Sequence, residues 1–399
     1  MVGEPLPSVR VAGEGAAAVK KEGALMVYRK WVDAPRGLPP GSLVVIEDRR
    51  GELLGCGLYD TVGPVALRLV ELGSCSFSSA EEAVYALIEA AYKVRQRIGY
   101  AGDPEAGYRL VHSDGDMMPG LIVDVYADLA VYQSSSIVWD VHGETVARAL
   151  AEITGVRHVY EKSLQRTRRD IGLPPREGLR IGNKTRTIIR EGEARFIVDA
   201  RIGQKTGFFL DQRLNRLDFG RLAEGTVLDL FSYTGGFGIQ ALLNGAERAV
   251  FVEEDEKAVK LLRSNLELNR VADRAEIVQS NVWSFLASAT NKGESYNAIS
   301  VDPPAFIPHP GAYRKGVQAY TRLYALSARI GSNDSLLALS SCSTHLNRED
   351  FMRVVARALA WSGRSYRPLG SVRGMPPDHP VRPSSPHLEY LKSIFIVLD

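Results

Sequence analysis

From Ile197 onward the chain alternates short, nearly continuous apolar runs with segments of helical spacing. VLDLFS, RAVFVEED, AEIVQSN, NAISVDPPAF and SLLALSSCS read as strands, and GFGIQALLNG and EKAVKLLRSNLELNR as helices between them. A strand that is apolar throughout is covered on both faces. Strands of that kind, joined through helices, lie parallel in one sheet, because a parallel connection needs a crossover. Residues 197–399 are therefore expected to form a doubly wound α/β domain on a parallel sheet.

The upstream half has two other textures. Up to residue 73 the chain reads as short strands between Gly/Pro turns (SLVVIEDRRGELLGCGLYD, then VALRLVEL), which suggests a small β-barrel-like domain. Residues 74–196 mix both periods. EEAVYALIEAAYKVRQRIGY has helical spacing with Ser78 or Ser79 as cap, and VWDVHGETVARALAEITG reads as a second helix closed by Gly155. Strands flank the Asp114-Gly115 turn, so a small α+β domain is expected. Arg166 to Arg190 carries a dense basic run interrupted by Pro174-Pro175, which rules out one continuous helix.

Bulk properties exclude several classes. A chain of 399 residues, 45% hydrophobic and 24% charged, suits a globular protein of two or three domains. A net charge of +2 gives no global nucleic-acid signal, so any basic surface must be local. Cys56, Cys75 and Cys342 have neither disulfide nor metal spacing, and the seven histidines are scattered, so no metal is expected. No signal core or membrane-length run is present, and a cytoplasmic location is expected.

The turn DLFSYTGGFG sits at the carboxyl end of the first strand, where ligands bind in such sheets. Glycines there let a ligand approach the backbone. The dinucleotide fingerprint G-x-G-x-x-G is missing, which argues against a pyrophosphate cradle. Glu253 ends the next strand about 20 residues on, where an acid can accept from both ribose hydroxyls. Asn281 follows the third strand and could read an adenine edge. Turn, acid and amide together describe an adenosine site without a phosphate clamp; ordinary turn and cap roles are the plainer alternative for each residue.

DLFSYTGGFG, Glu253 and VDPPAF together resemble the motifs of class I S-adenosylmethionine-dependent methyltransferases, which implies their Rossmann-like fold and a mixed, mostly parallel seven-stranded sheet. GQKTGFFLDQR (Gly203 to Arg213) is similar to the signature of the large-subunit ribosomal RNA cytosine-5 methyltransferases, and the likeness extends to the ending DHPV…EYLK. It implies a PUA domain (1–73), a small EEHEE-type α+β domain (74–196) and a methyltransferase domain (197–399). Carried over by position, Phe231, Tyr233, Thr234, Gly235, Gly236, Phe237, Glu253, Asn281 and Asp302 would line the S-adenosylmethionine site. Lys205, Thr206, Gly207, Phe208 and Phe209 would cover it. Asp211 has a competing role as a helix cap before QRLNRLDFG.

Asp302 in DPP and Cys342 in SSCS close successive strands. If those strands are neighbours, as the resemblance implies, both residues face one pocket. Carbon 5 of cytosine is a poor nucleophile. A thiolate adding to carbon 6 makes carbon 5 enamine-like, and a carboxyl at the N3/N4 edge stabilises the adduct. The alternative for Cys342 is a small buried hydrophobe. Other RNA cytosine-5 methyltransferases carry a second cysteine directly after their DP motif; Pro304 and Ala305 stand here, as in the large-subunit family. Cys56 and Cys75 read as structural, and His379 as more suited to a turn than to the active site.

The expected partner is RNA, ribosomal RNA by the resemblance, with Arg166, Arg168 and Arg169 of the basic run as phosphate contacts. Its target cytosine must be unstacked or flipped. Oligomeric state is left open, a homodimer included. Three alternatives stay open: guanine methylation (m7G or m2G), which would not need Cys342; a nicotinamide-dependent dehydrogenase, against which the missing glycine and DPP argue; and a non-catalytic RNA-binding protein.

Overall fold

The computed structural model describes residues 5–399, so the first four residues of the expected 1–73 domain lie outside it. The chain divides into two compact units. The first holds residues up to Ile189 together with Val198–Phe208 and Pro377–Pro386; the second holds Arg190–Ile197, Phe209–Pro376 and His387–Asp399. The division near residue 196 is thus not a single cut, because two short stretches expected in the last domain belong to the first unit.

In the first unit, strands Met26–Tyr28, Val65–Leu72, Leu53–Tyr59, Leu43–Asp48, Ser8–Val11 and Val32–Asp33 lie side by side in that order in one sheet. A second sheet orders Arg176–Ile181, His158–Ser163, Leu129–Ser134, Leu121–Tyr126 and Gly107–His112. Leu43, Cys56, Leu58 and Val70 from the first sheet pack with Ala83, Ile88, Tyr108 and Trp139, so the stretches 1–73 and 74–196 share a core. The helix Ala80–Arg97 starts at Ser79, whose side chain accepts from the Glu82 amide. The expected helix through His142 is instead two, Ile137–Val141 and Gly143–Thr154. His142 leaves helical geometry and its Nε2 lies 2.8 Å from the Gly41 carbonyl, and Gly143, a poor helix former, follows it.

The second unit runs α1 (Arg213–Leu222), β1 (Thr226–Leu230), α2 (Gly236–Leu243), β2 (Arg248–Glu253), α3 (Glu256–Leu268), β3 (Ala275–Gln279), α4 (Val282–Lys292), β4 (Tyr296–Val301), α5 (Tyr313–Arg329), β5 (Gly331–Ser341), α6 (Arg348–Ser362), β6 (Tyr366–Pro368) and β7 (Lys392–Leu398). Its seven strands are ordered β3-β2-β1-β4-β5-β7-β6. β3 to β5 are parallel, and β7 is antiparallel to both its neighbours. The order reverses between β1 and β4, which leaves a crevice at the carboxyl ends of the parallel strands. The apolar runs of β1, β2, β4 and β5 are buried, as covered strands must be.

Candidate active site

The residues after β1 adopt an unusual path. Phe231, Tyr233 and Gly235 all have positive φ, at 61°, 48° and 88°. For the two aromatic residues this costs roughly 1–3 kcal/mol each, so the surroundings must hold the turn. Glu253 does so from the end of β2: its Oε2 accepts the Tyr233 amide at 2.8 Å and its Oε1 the Asp255 amide at 2.9 Å. Inside β1, the buried Asp229 accepts from the Gly238 amide at 2.9 Å and from the Ser300 hydroxyl at 2.6 Å. Burial pushes its carboxyl up to about 6, against these hydrogen bonds.

The glycines of the turn have a packing reason beside the one expected. A Cβ on Gly235 would meet Leu262 Cδ1 at 2.4 Å, one on Gly236 would meet Arg216 Cδ at 2.5 Å, and one on Gly238 would meet Phe251 Cε1 at 2.3 Å. The protein's own side chains fill the space that the missing Cβ atoms leave, so any larger residue at these positions would disturb the packing of the turn. Phe237 is buried edge-on to Phe219 and belongs to the core. Thr234 is buried and its carbonyl accepts from Asn265 at 2.9 Å. Asn281 is the cap of α4: its Oδ1 accepts the Trp283 amide and its Nδ2 donates to Glu254. Its amide thus has a structural role at the start of α4, beside the adenine-reading role expected of it.

The segment Phe209–Arg216 ties several strand ends together. Arg216 is buried, donates to both oxygens of Glu191 at 2.7 and 2.6 Å, and reaches the Phe209 carbonyl at 2.8 Å. Phe209 stands edge-on to Tyr233, with ring centres 5.1 Å apart. Gln212 Nε2 donates to Asp302 Oδ1 at 2.8 Å, and Asn215 orients Gln212. Asp211 is not the helix cap considered for it; Gln212 holds that position without a side-chain cap bond, and Asp211 Oδ2 accepts from the Tyr390 hydroxyl at 2.8 Å. Lys205, Thr206, Gly207 and Phe208 lie in the first unit. There Thr206 donates to Asp124 at 2.6 Å, and Tyr126 donates to the Phe208 carbonyl.

β4 and β5 are neighbours, with Val301 opposite Leu339. Asp302 and Cys342 therefore leave adjacent strand ends, both partly exposed. Cys342 Sγ lies 3.7 Å from the Pro303 carbonyl. Ser343 stitches the two loops: its Oγ accepts the Ile307 amide at 3.1 Å and shares a 2.8 Å hydrogen bond with Tyr320. Lys392, buried at the start of β7, donates to the carbonyls of Ser343 and Tyr390 at 2.6 and 2.7 Å. Burial pushes its ammonium down to about 8, partly opposed by the nearby Cys342. Sequence reasoning missed Tyr320, Ser343, Lys392 and Arg216; the one signal was polar residues inside otherwise apolar strands and helices.

The basic run separates into two kinds of residue. Arg168 is fully buried: it pairs with Asp140 through both nitrogens at 2.9 and 2.7 Å and donates to the carbonyls of Ser134 and Pro174. It cannot meet a phosphate, which corrects that expectation. Arg176 and Arg180 pair with Glu161. Arg166 and Arg169 are exposed. His379 is buried in the first unit, its Nδ1 2.9 Å from Asp378 and its ring against His112. Among the described residues no group of His, Cys, Asp and Glu could hold a metal ion, and no helix is long and apolar enough to cross a membrane.

With this geometry in place, the chain can be set beside known proteins. The PUA-like domain family matches residues 9–71, and the family described as Conserved hypothetical protein 95 matches residues 212–309. A protein of Methanocaldococcus jannaschii described as a ribosomal RNA large subunit methyltransferase is 35% identical over 362 residues, 90% of each chain. The chain belongs to this family of ribosomal RNA large subunit methyltransferases. Another of its members, the ribosomal RNA large subunit methyltransferase of Deinococcus radiodurans, is 30% identical over 98% of each chain. A solved structure described as a methyltransferase complexed with S-adenosylhomocysteine superposes with a TM-score of 0.80 at 20% identity, covering 98% of this chain and all of that one. This likeness shows the Rossmann-like methyltransferase fold.

Proposed function

We propose that this protein is an S-adenosylmethionine-dependent methyltransferase that forms 5-methylcytosine in large-subunit ribosomal RNA through Cys342. The family's described activity supports the substrate class. The observation that carries the cytosine-5 reading is the thiol of Cys342 against the Pro303 carbonyl, in the loop that Asp302 opens.

The second unit's own groups fit the cofactor. Both Glu253 oxygens are fixed by backbone amides, and each keeps acceptor capacity for the vicinal hydroxyls of a ribose. Tyr233 and Phe209 offer aromatic surface beside that carboxylate. When bound, S-adenosylmethionine supplies an electrophilic methyl group on a sulfonium. Cys342 as thiolate adds to carbon 6 of the cytosine, and the electron pair displaced from the 5,6 double bond makes carbon 5 nucleophilic. Asp302, oriented by Gln212, faces the N3/N4 edge and, as the carboxylic acid, gives N3 the proton that neutralises the negative charge addition places there, and takes it back on elimination. Once carbon 5 carries the methyl group, solvent water takes its proton, the electron pair restores the 5,6 double bond, and the carbon–sulfur bond breaks to release the thiolate.

Two measurements follow. Mass spectrometry of nucleosides from unmodified large-subunit RNA, incubated with the protein and labelled S-adenosylmethionine, should show labelled 5-methylcytidine; labelled methylguanosine instead would transfer the activity to guanine. Glu253→Ala should weaken S-adenosylmethionine binding by about 1–3 kcal/mol, the range for hydrogen bonds to a charged group. Calorimetry that finds wild-type affinity in this variant would remove Glu253 from the site.

A further inference from the structure

The outer face of α4, α5 and α6 carries a groove that the active-site argument does not use. It has a volume of about 450 Å3 and is walled by Trp283 on α4, Gln318 and Arg322 on α5, and Arg357 and Trp361 on α6. Both indoles have a guanidinium over them: Arg322 at 5.5 Å from the Trp283 ring and Arg329 at 5.7 Å from the Trp361 ring. Trp361 is 53% exposed, so part of its ring is open to a ligand.

The charge on this face is one-sided. Arg314, Lys315, Arg322 and Arg357 are exposed, and none has a carboxylate partner among the described residues. The nearby acids Glu349 and Asp350 are both taken by Arg353. In a chain of net charge +2 this is a local cationic surplus. A protein partner would need a matching acidic surface, whereas a single strand of nucleic acid offers phosphates and flat bases in alternation, which suits cations interleaved with indoles.

Packed rings link the groove to the candidate active site. Trp283 stacks on Phe306 with ring centres 6.3 Å apart, and Phe306 meets Tyr320 at 4.7 Å. The Tyr320 hydroxyl bonds Ser343, the residue after Cys342. Trp283 thus sets one end of the groove beside Phe306, in the loop that follows Asp302.

We propose that the Trp283–Arg322–Arg357–Trp361 groove binds single-stranded RNA flanking the target nucleotide, with a base on the exposed Trp361 ring and phosphates on the arginines. This rests on the RNA methyltransferase reading and adds a second RNA contact to it, on the helical face of the methyltransferase unit.

The test uses the full chain, a fluorescein-labelled single-stranded oligocytidylate, and anisotropy titrations over a salt series. Trp361→Ala should weaken binding about tenfold, as loss of one stacked base does. Arg357→Ala should lower the slope of log affinity against log salt by about 0.7, one phosphate contact on a single strand. Thermal melting and calorimetry with S-adenosylmethionine report whether each variant is folded. Arg357 is wholly on the surface, so its variant keeps the test decisive if Trp361→Ala does not fold. Wild-type affinity and slope in both variants, with RNA binding and methyl transfer intact, would overturn the groove, leave the function standing and reserve this face for a protein. A wild-type protein that binds no RNA and methylates none would overturn the groove together with the reading beneath it.

Discussion

Cys342→Ala should lose methyl transfer to RNA by several orders of magnitude while its melting temperature and its affinity for S-adenosylmethionine stay close to wild type. In the proposed mechanism addition to carbon 6 precedes methylation, so no later step can compensate for its absence. Cys342 is partly exposed at a strand end, and its thiol faces the Pro303 carbonyl rather than an apolar pocket. Removing one sulfur there leaves no closed cavity. A structural cysteine would behave in the opposite way: the variant would lose about 1–2 kcal/mol of stability and keep its turnover. Single-turnover methylation and a denaturant melt, done on the same preparation, separate the two.

Arg168→Ala should destabilise the first unit by about 3–5 kcal/mol, the effect of leaving a buried carboxylate without its partner. The side chain is fully buried, as is nearly all of Asp140, and two backbone carbonyls would lose their donor as well. The neighbouring variants Arg166→Ala and Arg169→Ala should change stability by less than about 0.5 kcal/mol, because both residues are exposed. Chemical denaturation of the three variants side by side checks this. Equal, small effects would mean that Arg168 is not the buried anchor that the geometry makes it. Adjacent arginines in one run thus have opposite roles, and only burial distinguishes them.

The sheet was legible because covered parallel strands leave an unmistakable pattern: continuous apolar runs, each ended by a polar residue. The neighbour relation of β4 and β5, which puts Asp302 and Cys342 at adjacent strand ends, followed from the family likeness. What could not be read were contacts between residues far apart in the chain. Asp211 has strong local credentials as a helix cap, and nothing local points to Tyr390, whose hydroxyl it accepts. Arg168 looks like its exposed neighbours until Asp140 is placed beside it. The glycines at 235, 236 and 238 suggest a ligand cradle by position, yet their Cβ space is taken by Leu262, Arg216 and Phe251. Pro377–Pro386 goes to the first unit because Asp378 accepts the Arg109 amide and Arg95 donates to the Asp378 carbonyl. Local propensity carries no information on partners at that separation.

The central claim is a covalent bond between Cys342 and the cytosine. The most direct measurement is incubation of the full chain with S-adenosylmethionine and substrate RNA containing 5-fluorocytosine, followed by denaturing electrophoresis and mass spectrometry of the digested adduct. Fluorine at carbon 5 cannot leave as a proton does, so elimination stops and the enzyme remains attached. A cofactor-dependent adduct is expected on the peptide that contains Cys342, and none with Cys342→Ala. An adduct mapped to Cys56 or Cys75, or unmodified cytosine methylated at carbon 5 with no adduct trapped, would contradict it.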